Sequence, residues 1–261
     1  MNRRKEAGLT SFHIPGGRTL LIDNRIGVAP ADATLLSLAR RGAEEGYTVL
    51  SDFVSTDNPD AKQTVPRLHI CVLLRPGKHT EYAGFISAMS ALAVSHAIER
   101  NSDYKTSIRW LGSIYAEHKR IASISSECML LPSGYLDYLI LHAAIDMPPS
   151  RFPTRMTDVV TRIFTSRTVE TADHVAQAML HDFFSMYDAM NRDSNDGLLF
   201  WEEYRRRCHL IGKRVRVRVG HKKRRGTVKT VDTLGRLCVM LRSGEMLTLS
   251  SQSQLLSPKP L

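Results

Sequence analysis

Between residues 211 and 230 the chain places nine lysines and arginines and no acid, a concentration of charge able to neutralise phosphates and release their counterions. The run Lys222-Lys223-Arg224-Arg225 is its densest part. This one segment accounts for most of a formal net charge of +10. The competing reading is a solvated strand face, and neither a recognition-helix pattern nor a stacking-aromatic motif accompanies the patch. Nucleic acid is therefore disfavoured as a partner and kept as a minor alternative. Other chemistry is sparse. Ten histidines include no His-Glu-x-x-His, and His174 and His181 read as helix-surface residues, so no metal site is expected. No Gly-x-Ser-x-Gly elbow is present. Cys71, Cys128, Cys208 and Cys238 form no Cys-x-x-Cys pair and read as reduced thiols.

The basic residues need a frame. Val215, Val217 and Val219 alternate with Arg214, Arg216 and Arg218, the period of a strand with one buried face, and Gly220 ends it. Residues 226–232 read as the next strand, 233–235 as a turn, Leu237, Val239 and Leu241 as a third strand, and Ser243-Gly244 as another turn. About five short strands predict a small SH3-like barrel over 211–261. Ahead of it, 1–210 reads as one larger α+β domain. Strands are expected at 19–22, 47–54, 68–74, 106–110, 114–115, 120–125 and 135–145. A helix over 33–41 is closed by Gly42 and Gly46, and apolar positions 82, 85, 86, 89, 92 and 93 place a core helix over 81–100. Val175, Met179, Phe183 and Met186 recur at helical spacing in a helix over 171–190.

No apolar run approaches the ~20 residues of a membrane span, and the basic start Met1-Asn2-Arg3-Arg4-Lys5 is followed by no apolar h-region. The expectation is a cytoplasmic chain with no membrane partner.

The barrel segment resembles the C-terminal domain of biotin–protein ligases in Ile211-Gly212-Lys213-Arg214-Val215, Gly226, and Val231-Asp232-Thr233-Leu234-Gly235-Arg236-Leu237, with Trp201-Glu202-Glu203-Tyr204 fitting the helix that enters it. The likeness continues upstream. Leu38-Ala39-Arg40-Arg41-Gly42-Ala43-Glu44-Glu45-Gly46 is similar to the family's segment before its second strand. Val72-Leu73-Leu74-Arg75-Pro76 is similar to the strand end before its central helix. Arg109-Trp110 occupies the place of lysine-tryptophan-proline-asparagine-aspartate, and Ala143-Ala144-Ile145-Asp146 that of glycine-x-glycine-isoleucine-asparagine. The resemblance implies a biotin/lipoate-ligase-like domain, a mixed sheet with helices, followed by the SH3-like barrel. No family-type winged helix precedes it, so the likeness is to ligases that are not operator-binding repressors.

The family joins biotin to ATP and passes the acyl group to a lysine of a carrier domain. Its phosphates are held by a glycine-arginine-rich loop, because backbone amides must approach closely and guanidinium forks must hold the oxygens. Here 55–66 contains no glycine and no arginine, and Lys62 is its only cation. The family's catalytic lysine is matched by Arg120 in Arg120-Ile121-Ala122-Ser123-Ile124. Arginine keeps the charge but not the point-donor geometry, and Lys119 is expected to face the other side of the strand. Pro30-Ala31-Asp32 stands for serine-threonine-asparagine, and Leu111-Gly112-Ser113 for proline-asparagine-aspartate. His142 and Ala144 add side chains where the family has glycines.

These departures predict a ligase-like protein that has lost biotinyl-adenylate synthesis and serves as a binding or regulatory pseudoenzyme. The alternative is an active ligase in which Arg120 replaces the lysine and Lys62 or Arg67 holds phosphate. Biotin, ATP and magnesium would be its small-molecule requirements, and a biotin carrier domain its partner. Homodimerisation is compatible with either. Any ligand cavity is expected from Asp32, Val54, Lys62, Arg67, Arg109, Trp110, Gly112, Ser113, Ile121, Ala122, His142 and Ala144. Trp110 and Arg120 are its foremost lining residues. Core packing is the competing role for Trp110, and a surface ion pair with Glu117 or Glu127 for Arg120.

Overall fold

The strand expected at 19–22 is the second of its sheet. β1 (Leu9–Ile14) precedes it and pairs antiparallel with β2 (Arg18–Ile26), from Leu9↔Asp23 to Ile14↔Arg18. Its signal is weak because it is an edge strand with exposed Thr10, Ser11 and His13, leaving only Phe12 and Ile14 to mark the inner face. The structure, a computed structural model, describes residues 9–14, 18–26, 31–54, 66–147, 169–192, 196–219, 221–250 and 255–256.

β3 (Thr48–Val54), β4 (Pro66–Leu74), β5 (Thr106–Arg109), β6 (Ser113–Ala116), β7 (Lys119–Leu130) and β8 (Leu136–Asp146) complete the sheet, ordered β1-β2-β3-β4-β8-β7-β6-β5. β2 and β3 run parallel and every other pair antiparallel. Leu68, Ile70, Val72 and Leu74 point into the main core, whereas Cys71 and Leu73 meet a smaller core on the opposite face.

α1 (Ala31–Arg40) covers that smaller core through Leu35 and Ala39, over Val49, Cys71, Leu73, Tyr138 and Ile140. Gly42 takes φ +82° at its end, the left-handed turn that stops a helix there. Arg75 completes the cap: its Nη2 donates to the Ala39 carbonyl at 2.8 Å and its Nε to that of Ala43 at 2.9 Å. On the other face, α2 (Tyr82–Arg100) is buried along most of its length, packed by α3 (Val169–Asn191) and α4 (Asp196–Arg207). Val175, Met179 and Phe183 lie in this core. Among the described residues no helix is long and apolar enough to cross a membrane.

A second sheet of SH3-like type contains β9 (Arg214–Val219), β10 (Lys222–Val231), β11 (Leu237–Leu241), β12 (Met246–Leu249) and β13 (Leu255–Leu256), ordered β12-β11-β10-β9-β13 and antiparallel throughout. Val215 and Val217 are buried while Arg214, Arg216 and Arg218 are exposed, as the alternation requires. The valines, with Val228, Val239 and Leu241, join the main core. Contact with the larger sheet is close. A Cβ on Gly235 would sit 2.7 Å from the carbonyl of Gly84 in the first turn of α2, and Trp110 Nε1 donates to the Gly235 carbonyl at 2.7 Å.

Candidate functional site

Directly opposed residues of neighbouring antiparallel strands share a face, so the pairings assemble one row across six strands. Ser51 opposes His69, His69 opposes Ala144, Ala144 opposes Ser123, Ser123 opposes Ser113, and Ser113 opposes Arg109. One step along, Val49, Cys71, His142 and Ser125 form a parallel row. α1 covers the Val49–Cys71 end, which leaves the serines and histidines as the polar part of this face.

His69 and His142 anchor it. The Nδ1 of His69 and the Nε2 of His142 are 2.7 Å apart, with rings stacked at 5.0 Å. One nitrogen donates and the other accepts. His69 is buried, and the neighbouring Ser51 Oγ, also buried, finds no hydrogen-bond partner among the described residues. A third row carries charge. Arg67 opposes Asp146, and its Nε donates to Oδ1 at 2.8 Å. Burial pushes the Asp146 carboxyl above its ordinary range, against the opposing pull of Arg67, Lys119 and Arg120.

Arg120 opposes Tyr115, two residues from Ser113, so alternation puts it on the face of Ser113 and Ser123. It is exposed. A register shift at this point adds one residue to β7: Ile114 opposes Ala122, yet Tyr115 opposes Arg120. Ile121 is the extra residue. Ile121 and Ala122 both enter the main core, as a bulge allows, so neither lies on the polar face where the sequence placed them.

The structure brings Arg67, Arg109, Ser113, Arg120, His142 and Ala144 onto one face of the sheet. Trp110 is placed elsewhere: it is buried in the main core and tied to Gly235, because its indole N–H needs a partner once the ring is buried. Gly112 packs against β7, where a Cβ would stand 2.6 Å from Ile124 Cβ, and its carbonyl accepts the Ile124 N–H at 2.6 Å. Asp32 lies in the first turn of α1 and Val54 ends β3; the side chains of both are outside the described residues, as is Lys62 altogether. Lys222, Lys223, Arg224 and Arg225 are exposed on β10.

Sequence reasoning missed Ser51, His69, Ser123 and Ser125. The signal was available in Leu68-His69-Ile70-Cys71-Val72, where alternation sets His69 and Cys71 apart from the aliphatic face. Among the described residues no cluster of three or more His, Cys, Asp or Glu is placed to hold a metal ion.

Residues 210–251 match the family model of the biotin protein ligase C terminal domain. No curated protein matches the chain by sequence. Solved structures match it by fold. Biotin protein ligase from Aquifex aeolicus in complex with biotin and ATP superposes with a TM-score of 0.65 at 17% identity, over 90% of this chain and 97% of that one. A biotin protein ligase-like protein of unknown function from Silicibacter gives 0.65 at 14% identity, over 92% and 97%. The Leishmania major biotin protein ligase in complex with biotin gives 0.53 at 15%, over 88% and 98%. This chain therefore has the fold of the biotin protein ligases, divergent in sequence, and ends in a domain of that family's C-terminal type.

Proposed function

We propose that the chain is a binding protein built on the biotin protein ligase fold, one that does not form biotinyl-adenylate. A single observation carries the reading. The carboxylate of Asp146 holds Arg67 and draws on the charges of Lys119 and Arg120, so an acid already stands among the cations that a phosphate would need. A polyphosphate brought there meets a like charge instead of an empty cation cluster. The remainder of the face, Ser51, His69, His142, Ser123 and Ser125, offers hydroxyl and imidazole groups suited to a small neutral ligand. Ala144 fills space that the resembled family leaves to glycine.

The test incubates the protein with biotin, α-labelled ATP and an apo carrier domain. The expected result is neither labelled adenylate nor biotinylated carrier, and the appearance of either overturns the reading. The variant Asp146→Asn with Arg120→Lys restores the asparagine and lysine of the resembled motifs. Adenylate formed by this variant alone would identify charge cancellation as what silences the site.

One observation favours a second reading. Arg120 shares the face of Ser113 and Ser123, as a cation replacing the lysine must. In that reading the protein is an ATP-dependent biotin ligase, with biotin and magnesium-ATP as substrates, a carrier domain as partner, and Arg120→Ala abolishing the product.

A further inference from the structure

The C-terminal sheet has a second feature, unrelated to the polar face of the large one. Its outer surface contains a cavity of about 580 Å³ lined by Arg214, Arg216, Arg225, Lys229 and Arg242, with Thr227 and Met240 among its other lining residues. No acid lines it. None of the five cations forms an ion pair with a described residue, whereas Arg18, Arg67, Arg75, Arg100, Arg207 and Arg236 all do. The acid of the β11–β12 turn, Glu245, holds Arg224 instead, at 3.1 Å.

The strand register makes this crowding costly. Arg216 stands directly opposite Arg225, and Arg218 opposite Lys223, and like charges directly opposed across strands are destabilising. Arg242 opens the turn after β11, next to Leu241, which pairs with Gly226, and lines the same cavity as Arg225. Three arginines thus line one cavity, two of them on backbone positions a single inter-strand spacing, roughly 5 Å, apart. Lys229 reaches the same cavity from the position where the β10–β11 register shifts.

We infer that this cavity binds the phosphate backbone of double-stranded nucleic acid without reading its sequence. Guanidinium forks match phosphate oxygens in bidentate geometry. A duplex carries one charge per ~1.7 Å of axis, a density that meets cations this closely set. Same-side carboxylates of an extended acidic peptide recur only every second residue, about 6.6 Å apart. The described part of this sheet, residues 214–219, 221–250 and 255–256, contains no Phe, Tyr or Trp, so it has no platform on which unpaired bases could stack. That absence favours a duplex over a single strand. Of the basic run at 222–225, only Arg225 lines the cavity, so the binding element is a three-strand surface and not the hairpin tip.

Fluorescence anisotropy of the full chain with a labelled mixed-sequence DNA duplex tests this, with the duplex RNA of the same sequence in a parallel arm. Binding should weaken steeply with salt, with a log–log slope of about −4.5 if all five cations meet phosphates. The variant Arg216→Ala/Arg225→Ala/Arg242→Ala should lose at least tenfold in affinity and flatten the slope by about 2.7. It should unfold no earlier than the parent chain, because like-charge opposition has been removed. Lys222→Ala/Lys223→Ala, outside the cavity, should change affinity less than threefold. Equal binding by the triple variant, tighter binding of the corresponding single strand, or polyglutamate competing as well as duplex would each overturn the assignment.

Discussion

A hydrogen bond between two imidazoles ties each ring's orientation to the other. His69 is buried and its Nδ1 lies 2.7 Å from His142 Nε2, so removing His142 takes a hydrogen-bond partner from a nitrogen of a buried ring. Such a loss costs about 1–3 kcal/mol. His142→Leu should lower stability by that amount in urea titrations, and so should His69→Leu. The double variant should cost less than the sum, with a coupling of roughly 0.5–3 kcal/mol, since replacing both partners removes the unmet demand. Additive losses would show that the rings merely touch. The pair also shows what single residues disclose in a sequence. His142 stood out because it replaces a glycine of the resembled motif, whereas His69 has no motif and acquires meaning only from a partner 73 positions away. Trp110 is the converse case: it sits in a recognisable motif, and only the fold shows that its indole N–H holds Gly235, 125 positions away.

Among the elements, α2, α3 and α4 are joined by one polar network at the border of their apolar contact. His96 on α2 places Nδ1 3.2 Å from Asp182 on α3 and Nε2 2.8 Å from Glu203 on α4. Arg100 also holds Asp182, His181 contacts it, and Arg207 bridges Glu99 and Glu203. The hydrogen bond to Asp182, opposed by burial and helped by Glu203, raises the His96 pKa above its ordinary 6.5. A raised pKa stabilises the fold fully below the unfolded value and is lost as pH climbs through the folded one. Asp182 acts in the opposite sense. Burial opposes its ionisation, but His96, His181 and Arg100 outweigh it and hold the pKa to about 2 against 3.8, so its contribution is present above 3.8 and fades as pH falls towards 2. Urea midpoints should therefore decline from pH 6 to pH 9 in the parent chain, and His96→Gln should flatten that limb while making the acid limb shallower, since Asp182 keeps only His181 and Arg100 to depress it. An unchanged alkaline limb in the variant would remove His96 as its cause. The helices themselves were legible, since Val175, Met179 and Phe183 recur at helical spacing. Their network was not: the residues His96 joins are 86 and 107 positions away, beyond any local pattern.

At the scale of the molecule, the second sheet is seated on the first by backbone contact. Gly235 takes φ +78°, and a Cβ there would lie 2.7 Å from both the carbonyl carbon and the oxygen of Gly84. Asp232 fixes the turn, its Oδ1 accepting from the N–H groups of Leu234 and Arg236 at 3.0 and 2.9 Å. The stretch Val231-Asp232-Thr233-Leu234-Gly235 was the most readable part of the chain because its residue types are demanded by this close approach. Turn chemistry constrains a sequence far more tightly than an aliphatic core does. The large sheet was legible in its inner strands and not at its β1 edge, where one wet face erases half of the pattern. Since Val215, Val217 and Val239 share the core that contains Trp110, Trp201 and Phe85, the two sheets should unfold in one transition. Gly235→Ala combines left-handed backbone strain with a collision against α2 and should cost roughly 2–4 kcal/mol. Trp110 and Trp201 lie in the shared core, so tryptophan fluorescence follows that core while far-UV circular dichroism follows both sheets. The two curves should shift together in the variant. If fluorescence moved to lower denaturant while much of the dichroism stayed behind, the sheets would be separable units and the common core would not govern their stability.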